Sequence, residues 1–64
     1  MNRSKFTRHL ITHDCFLHHH GANHDAWTRR GQKKIVSLPR HREVDLSIVR
    51  AICRDLGIPP PPEK

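Results

Sequence analysis

The order of predicted elements is helix, strand, strand, strand, helix, which places the chain in the α+β class with a three-stranded antiparallel sheet and both helices on its one apolar face. Three observations predict this fold. Apolar residues recur at helical spacing near both ends of the chain, and the middle alternates in the manner of strands. Short turn sequences separate the middle segments. With 64 residues the chain forms one domain, predicted over residues 1–58, followed by a Pro-rich tail over residues 59–64.

The first helix is predicted over residues 4–13, with Asn2 or Ser4 as its cap. The apolar residues predicted to lie on its inward side are Phe6, Leu10 and Ile11. A first strand follows over residues 15–20 because aromatic and aliphatic residues begin there. Its turn is Gly21–Asn23, where Gly21 and Asn23 are the residues best able to take positive φ.

The second strand is predicted over residues 24–29, with alternate residues on opposite faces. One face carries Asp25, Trp27 and Arg29, and the other carries His24, Ala26 and Thr28. A turn at residues 30–32 leads to a third strand from Lys34 to Leu38, in which Val36 and Leu38 point the same way. Pro39 ends that strand because proline cannot donate to the ladder. Residues 40–43 form an exposed, mostly cationic connection.

The last helix has the clearest boundaries. Asp45 caps its start, and Val44 is placed to contact Val49 across the first turn. Its inward residues follow helical spacing and are Val49, Ile52, Cys53 and Leu56. Gly57 stands where helices turn left-handed, and Ile58 is placed to fold back on Cys53. The tail is expected to be extended, with polyproline-like stiffness.

The most informative feature of the composition is its net positive charge. Twelve Lys and Arg against six Asp and Glu give a formal charge of +6 and a pI near 10.4. Such a surface either keeps the chain in solution or attracts a polyanion such as RNA. The chain has no secretory leader and no stretch long enough to cross a membrane, so we expect a cytoplasmic protein without a membrane partner. Cys15 and Cys53 are expected to be reduced core thiols.

Only 34% of the residues are hydrophobic, so an enclosed cavity for a small-molecule substrate is not expected, and any active site should lie open on the surface. Residues 18–24 hold four of the seven histidines. Metal binding is one interpretation, but neighbours in a strand point to opposite faces, so His18 and His20 share a side that His19 does not. No second pair completes a tetrahedral set. We therefore expect neither a metal nor another cofactor.

Acid–base chemistry at His24 is the second interpretation, since imidazole exchanges protons near neutral pH. Cleavage of RNA by its own 2′-hydroxyl needs a base, an acid and cations, and it needs no metal. A strand histidine that is merely solvated remains the alternative. The cations that could follow a phosphate backbone, or could simply be solvated, are Arg29, Arg30, Lys33, Lys34, Arg40 and Arg42. Trp27 is expected in the core or in a partner interface rather than as a base-stacking platform.

Three motifs in order resemble the HicA family of toxins. They are Gly21–His24, the segment Ile35–His41 that contains Leu38-Pro39-Arg40-His41, and the segment Val49–Ile58. The resemblance covers residues 4–58, nearly the whole chain. It implies a double-stranded RNA-binding-like fold, cleavage of mRNA and inhibition by a HicB-like antitoxin.

By position, the resemblance assigns the family's catalytic histidine to His24, with Asn23 where many members have a first histidine. A second acid or base is then needed, and His20 and His41 are the candidates. The chain departs from the family at Val44–Leu46, where many members have Gly-Thr, and the residues 18–20 inherit no role. The alternative interpretation is a non-catalytic RNA-binding module that keeps the fold and the charge.

Overall fold

The computed structural model describes residues 1–62. It contains a three-stranded antiparallel sheet in the order β1-β2-β3, and the two helices lie at either end of the strand sequence. The elements are α1 Arg3–Thr12, β1 Cys15–His20, β2 His24–Arg29, β3 Ile35–Pro39 and α2 Leu46–Leu56. The predicted α+β architecture is confirmed.

Both helices pack on one face of the sheet, which we call the inner face; the opposite face is the outer face. Helix α1 lies against β1, and α2 lies against β3. The buried apolar core between helices and sheet is formed by Phe6, Leu10, Cys15, Trp27, Val36, Leu38, Val44, Val49, Ile52, Cys53, Leu56 and Ile58. Trp27 is 7% exposed and belongs to this core, so the prediction that it is no stacking platform is confirmed.

Helix α1 is capped by Asn2, whose side-chain oxygen accepts from the backbone amides of Ser4 and Lys5. Phe6 and Leu10 are fully buried, four residues apart. The prediction that Ile11 also points inward is wrong, because its side chain is 62% exposed. It follows Leu10 directly and is therefore rotated by about 100° around the helix axis, away from the sheet.

The turns differ from the prediction in one respect. Within residues 1–62, positive φ occurs at Asp14, Gly31 and Gly57, and not at Gly21 or Asn23. The turn between β1 and β2 therefore needs Gly21 for a reason other than its freedom in φ. Gly31, with φ of 83°, closes the predicted second turn.

A bulge interrupts the pairing of β1 with β2. Leu17 lies opposite Trp27 and His19 lies opposite Ala26, so His18 is an extra residue on β1. The strict alternation expected through the three consecutive histidines is therefore broken at His18. As a result, His20 lies opposite Asp25 and on the inner face with it.

The third strand begins and ends one residue later than predicted. Pro39 is its last residue and lies opposite His24, rather than lying beyond the strand. Proline is tolerated there because β3 is an edge strand, so one side of the backbone needs no donor. Val36 and Leu38 both point into the core, as predicted.

Helix α2 begins and ends as expected, with one correction. Asp45 occupies the N-cap position, but its side chain makes no capping hydrogen bond. At the other end Gly57 has a left-handed conformation. The amide of Ile58 donates to the carbonyl of Cys53 at 3.0 Å, and that of Gly57 to Arg54 at 3.2 Å. These two bonds form the Schellman motif that the sequence predicts.

The described part of the tail lies against α1. The ring Nε2 of His9 donates to the carbonyl of Pro59 at 2.8 Å, and Pro61 is buried. The last two residues of the predicted extended tail, Glu63 and Lys64, lie outside the described residues.

Both cysteines are buried and unpaired, as expected. Burial raises the pKa of both thiols.

Candidate active site

His24 is the first residue of β2, and its exposed side chain lies on the outer face of the sheet. The neighbouring Asp25 points to the inner face, because successive side chains in a strand alternate. His24 pairs with Pro39 on β3. Its imidazole makes no hydrogen bond with the described part of the chain, so both ring nitrogens are open to solvent and to a substrate.

A close approach of two backbones fixes the position of His24. The amide of Gly21 donates to the carbonyl of His24 at 3.1 Å and closes the turn. A Cβ atom at Gly21 would lie 2.5 Å from that carbonyl oxygen, well inside van der Waals contact. Glycine is therefore required because of this contact, and φ plays no part.

Asp25 is the centre of an ion cluster on the inner face. Asp25 is only 6% exposed, and its carboxylate accepts hydrogen bonds from charged side chains of two separate segments. Arg3 of α1 donates from one terminal nitrogen to Oδ2 at 2.6 Å, and Arg40 donates from Nε to Oδ1 at 3.0 Å. His20 places Nδ1 3.0 Å from the same Oδ1. This cluster joins α1, β1, β2 and the segment after β3.

The charge of this cluster favours the ionised carboxylate. Burial raises the pKa of Asp25, but the hydrogen bond from Arg40 and the electrostatic interactions with Arg40, His20 and Arg3 outweigh it. The net result is a pKa below the ordinary aspartate value. Asp25 therefore stays negative at neutral pH and holds its cations in place.

Arg40 ties this cluster to the turn that precedes His24. Its guanidinium donates to the carbonyls of Ala22, at 3.1 Å, and of Gly21. One terminal nitrogen also lies 3.0 Å from Nε2 of His20. The side chain of Arg40 thus supports the turn, although residues 40–43 are exposed, as the sequence predicts.

The contacts of His20 define its tautomer. A guanidinium has only donors, so Nε2 of His20 accepts from Arg40, and Nδ1 carries the proton that is donated to Asp25. His20 therefore lies on the inner face with both nitrogens engaged, whereas His24 lies on the outer face. The two candidate proton-transfer groups are on opposite sides of the sheet.

His41 is differently placed. It is exposed and lies two residues beyond Pro39, the strand partner of His24. It lines an open depression together with Pro39, Arg42, Glu43, Val44, Asp45 and Ile48.

The six predicted cations separate into two groups at opposite ends of β2. Arg40 and Arg42 lie at the His24 end. The others lie around the turn between β2 and β3, roughly 17 Å away along a six-residue strand, and are Arg29, Arg30, Lys33 and Lys34. Arg29 is engaged there, since its guanidinium donates to the carbonyls of Leu56 and Gly57 and caps the end of α2.

Sequence reasoning missed the roles of Asp25 and Arg3. A signal was present for Asp25, because alternation placed this carboxylate on the same face as Trp27, and a buried carboxylate requires cationic partners. No comparable signal marked Arg3. Its partner is 22 residues away in the chain, and the pairing depends on how α1 lies across the sheet.

No group of three or more His, Cys, Asp or Glu side chains within residues 1–62 is arranged to hold a metal ion. None of the helices in this part of the chain is long and apolar enough to cross a membrane.

Comparison with known proteins gives one match. A family model described as the HicA toxin of bacterial toxin–antitoxin matches residues 3–58 of the 64-residue chain. The comparisons with curated proteins and with solved structures returned no match. The matched region runs from the first residue of α1 to Ile58, and so includes every helix and strand described above.

Proposed function

The chain belongs to the HicA family of toxins from bacterial toxin–antitoxin systems. From this premise we propose that it is an endoribonuclease that cleaves mRNA without a metal. Cleavage of mRNA would inhibit translation and growth. The observation that carries the proposal is the placement of His24. A rigid turn, made possible by Gly21, presents this solvated imidazole at the start of β2.

In the proposed reaction the 2′-hydroxyl of the nucleotide before the scissile bond attacks the phosphorus atom. His24 acts as general base and takes the hydroxyl proton, or acts as general acid and protonates the leaving 5′-oxygen. The new P–O2′ bond replaces the P–O5′ bond, so the products are a 2′,3′-cyclic phosphate and a 5′-hydroxyl. Cations beside the phosphorane stabilise its additional negative charge.

A single imidazole cannot fill both proton-transfer roles in one step. His20 and His41 are the candidates for the second role, and the geometry favours His41. Both side chains are exposed, but His20 is hydrogen-bonded through both ring nitrogens on the inner face, whereas His41 lies two residues beyond the strand partner of His24. Arg42 lies next to His41, where it can bind the phosphate.

An antitoxin is the expected partner of a toxin in such a system, and we assign this role to a HicB-like protein. Covering His24 and the neighbouring cations would silence the enzyme without any conformational change in it. The reaction requires mRNA as substrate, and hence a cytoplasmic location. It requires no cofactor and no small-molecule substrate.

The test compares wild type with His24→Ala on a purified mRNA. Because general acid–base catalysis contributes typically 10²- to 10⁴-fold, the variant should cleave at least about 100-fold more slowly while keeping the wild-type melting temperature. Wild-type activity should persist in EDTA. His18→Ala is the matched control, since it removes another exposed histidine and should leave the rate unchanged.

Undiminished cleavage by His24→Ala would contradict the assignment of this residue. If wild type binds mRNA in a salt-sensitive manner but does not cut it, the chain is instead a non-catalytic RNA-binding module that keeps the family's fold and charge.

A further inference from the structure

The outer face of the sheet is uncovered, because both helices and the described part of the tail lie on the other side. Three rows of paired residues cross it. Starting from the turn before β2, the rows are His24 with Pro39, then His19 with Ala26 and Ser37, then Phe16 with Thr28 and Ile35. His24 is therefore one end of a continuous surface that extends along β2.

The row farthest from His24 is apolar and unusually exposed. Phe16 is 45% exposed and Ile35 is 48% exposed, and they flank Thr28, which is 5% exposed. The hydroxyl of Thr28 donates to the carbonyl of Lys34 at 2.7 Å, so its polar group is already satisfied. The aromatic ring of Phe16 is thus exposed to solvent, with the exposed side chain of Ile35 in the same row.

Cations border this apolar row. The turn after β2 carries Arg30, Lys33 and Lys34, all exposed, and Thr28 is bonded directly to the backbone of Lys34. No carboxylate points outward from the three strands, because Asp25, the one acidic residue in them, faces inward. The outer face therefore combines an aromatic ring with three bordering cations and no carboxylate of its own strands, and this suits a polyanion that carries flat rings.

We infer that the outer face binds single-stranded RNA, with a base stacked on Phe16 and phosphates bound by Arg30, Lys33 and Lys34, so that the strand runs along β2 to the scissile phosphate at His24. This inference rests on the proposed function. Thr28, the strand partner of Phe16, lies four residues from His24 along β2, or roughly 13 Å at about 3.3 Å per residue, and a few nucleotides span this distance. Base stacking on an aromatic side chain tolerates any sequence.

The surface favours a single strand over a duplex and over a protein. A duplex hides the faces of its bases, so an exposed ring contributes nothing to its recognition. The apolar row alone is too small for a stable protein interface, because it consists of three residues, of which Thr28 is already buried. Phe16 is thus a positioning residue: it holds the RNA and does not touch the reacting atoms.

The neighbouring residue provides the matched control. Leu17 follows Phe16 in β1, is equally exposed at 45%, and faces the other way because it pairs with Trp27. Phe16→Leu keeps an apolar side chain and removes the ring, whereas Phe16→Trp keeps a ring. Leu17→Ala removes an equally exposed apolar side chain from the other face.

Binding is measured in the His24→Ala background, so that the RNA stays intact, with a single-stranded oligonucleotide that carries 2-aminopurine. Stacking quenches the fluorescence of this base. We expect Phe16→Leu to weaken binding by about 5- to 100-fold and to abolish the quench. Phe16→Trp and Leu17→Ala should behave like the parent. With His24 restored, Phe16→Leu should raise KM at unchanged kcat.

If wild type cleaves RNA, the proposed function stands, and two outcomes overturn the inference. In the first, Phe16→Leu has the same KM and the same fluorescence quench as its parent. In the second, Phe16→Leu and Leu17→Ala weaken RNA binding equally. If wild type does not cleave RNA, the proposed function fails. The inference then stands or falls on the quench alone, and Phe16-dependent quenching would identify the outer face as an RNA-binding surface without catalysis.

Discussion

The two faces of β2 differ sharply although their side chains are adjacent in sequence. His24 on the outer face has no hydrogen-bond partner among the described residues, whereas Asp25 on the inner face contacts two arginine side chains and His20. The inner face holds helix α1, the turn and the segment after β3 together. The outer face presents an imidazole, an aromatic ring and a basic border. Because successive side chains of β2 point to opposite faces, the residues that stabilise the fold lie on one face and the candidate catalytic residue lies on the other.

This separation predicts different consequences for substitutions on the two faces. Outer-face changes, such as His24→Ala and Phe16→Leu above, should alter RNA cleavage without altering the melting temperature. Inner-face changes should lower the melting temperature first, and they should reduce activity mainly through loss of the folded state.

The largest effect on stability is expected from Asp25→Asn. The amide has the same shape but no charge, so Arg3, Arg40 and His20 remain gathered around a neutral group. Thermal unfolding followed by circular dichroism should show a clear drop in melting temperature. Asp55→Asn is the matched control, because within residues 1–62 the carboxylate of Asp55 has a single ionic contact, at 4.0 Å, with the adjacent and exposed Arg54. Equal melting temperatures for the two variants would show that the charge of Asp25 does not stabilise the fold.

An intermediate effect is expected from Gly21→Ala. The new Cβ would approach the His24 carbonyl to 2.5 Å, so the turn must shift, at a cost of about 1–3 kcal/mol in the free energy of unfolding. Because the shifted atoms belong to His24, cleavage per folded molecule should fall as well.

Gly31→Ala separates these two effects. Gly31 has φ of 83° and open space around its Cβ position, so alanine there costs about 1–2 kcal/mol of backbone strain. It lies at the far end of β2, and its cleavage rate per folded molecule should match wild type. Urea denaturation and single-turnover cleavage measure the two quantities. Loss of cleavage in both variants would show that the turn at Gly21 has no special link to His24.

The smallest effect is expected from mild acid. The folded-state pKa of Asp25 is lowered, so the stability that its charge contributes is present above the unfolded-state pKa and is lost as pH falls through the folded-state pKa. The difference in melting temperature between wild type and Asp25→Asn should stay constant from pH 7 to about pH 5 and shrink below about pH 4. A difference that grows on acidification would reverse the sign of this linkage.

Much of the fold could be predicted from the sequence because local patterns determine it. The bounds of β1 and β2, the Schellman end at Gly57 and the inward residues of α2 follow from alternation, helical spacing and a single glycine. The errors fall where a local pattern is ambiguous. Ile11 extends an apolar run by one residue beyond the buried face, and the bulge at His18 interrupts an otherwise regular strand.

For the candidate site, the sequence indicates which residues take part but not which groups their side chains contact. Spacing and family resemblance singled out His24, and alternation gave the face on which it lies. The six cations formed one group along the chain, and the structure divides them between two ends of a strand. Two of them, Arg29 and Arg40, are engaged with backbone carbonyls that lie far away in sequence.

The sequence by itself determined the α+β order, the exposed start of β2 and the positive surface, because each depends on residue type and on neighbours within a few positions. Only the tertiary structure decided that Asp25 joins Arg3 to Arg40, that Gly21 must accommodate the carbonyl of His24, and that His20 faces away from His24. The contacts of Asp25 with Arg3 and Arg40 join residues 22 and 15 positions apart in the chain. Such contacts follow from the packing of helices on the sheet, which no local pattern encodes.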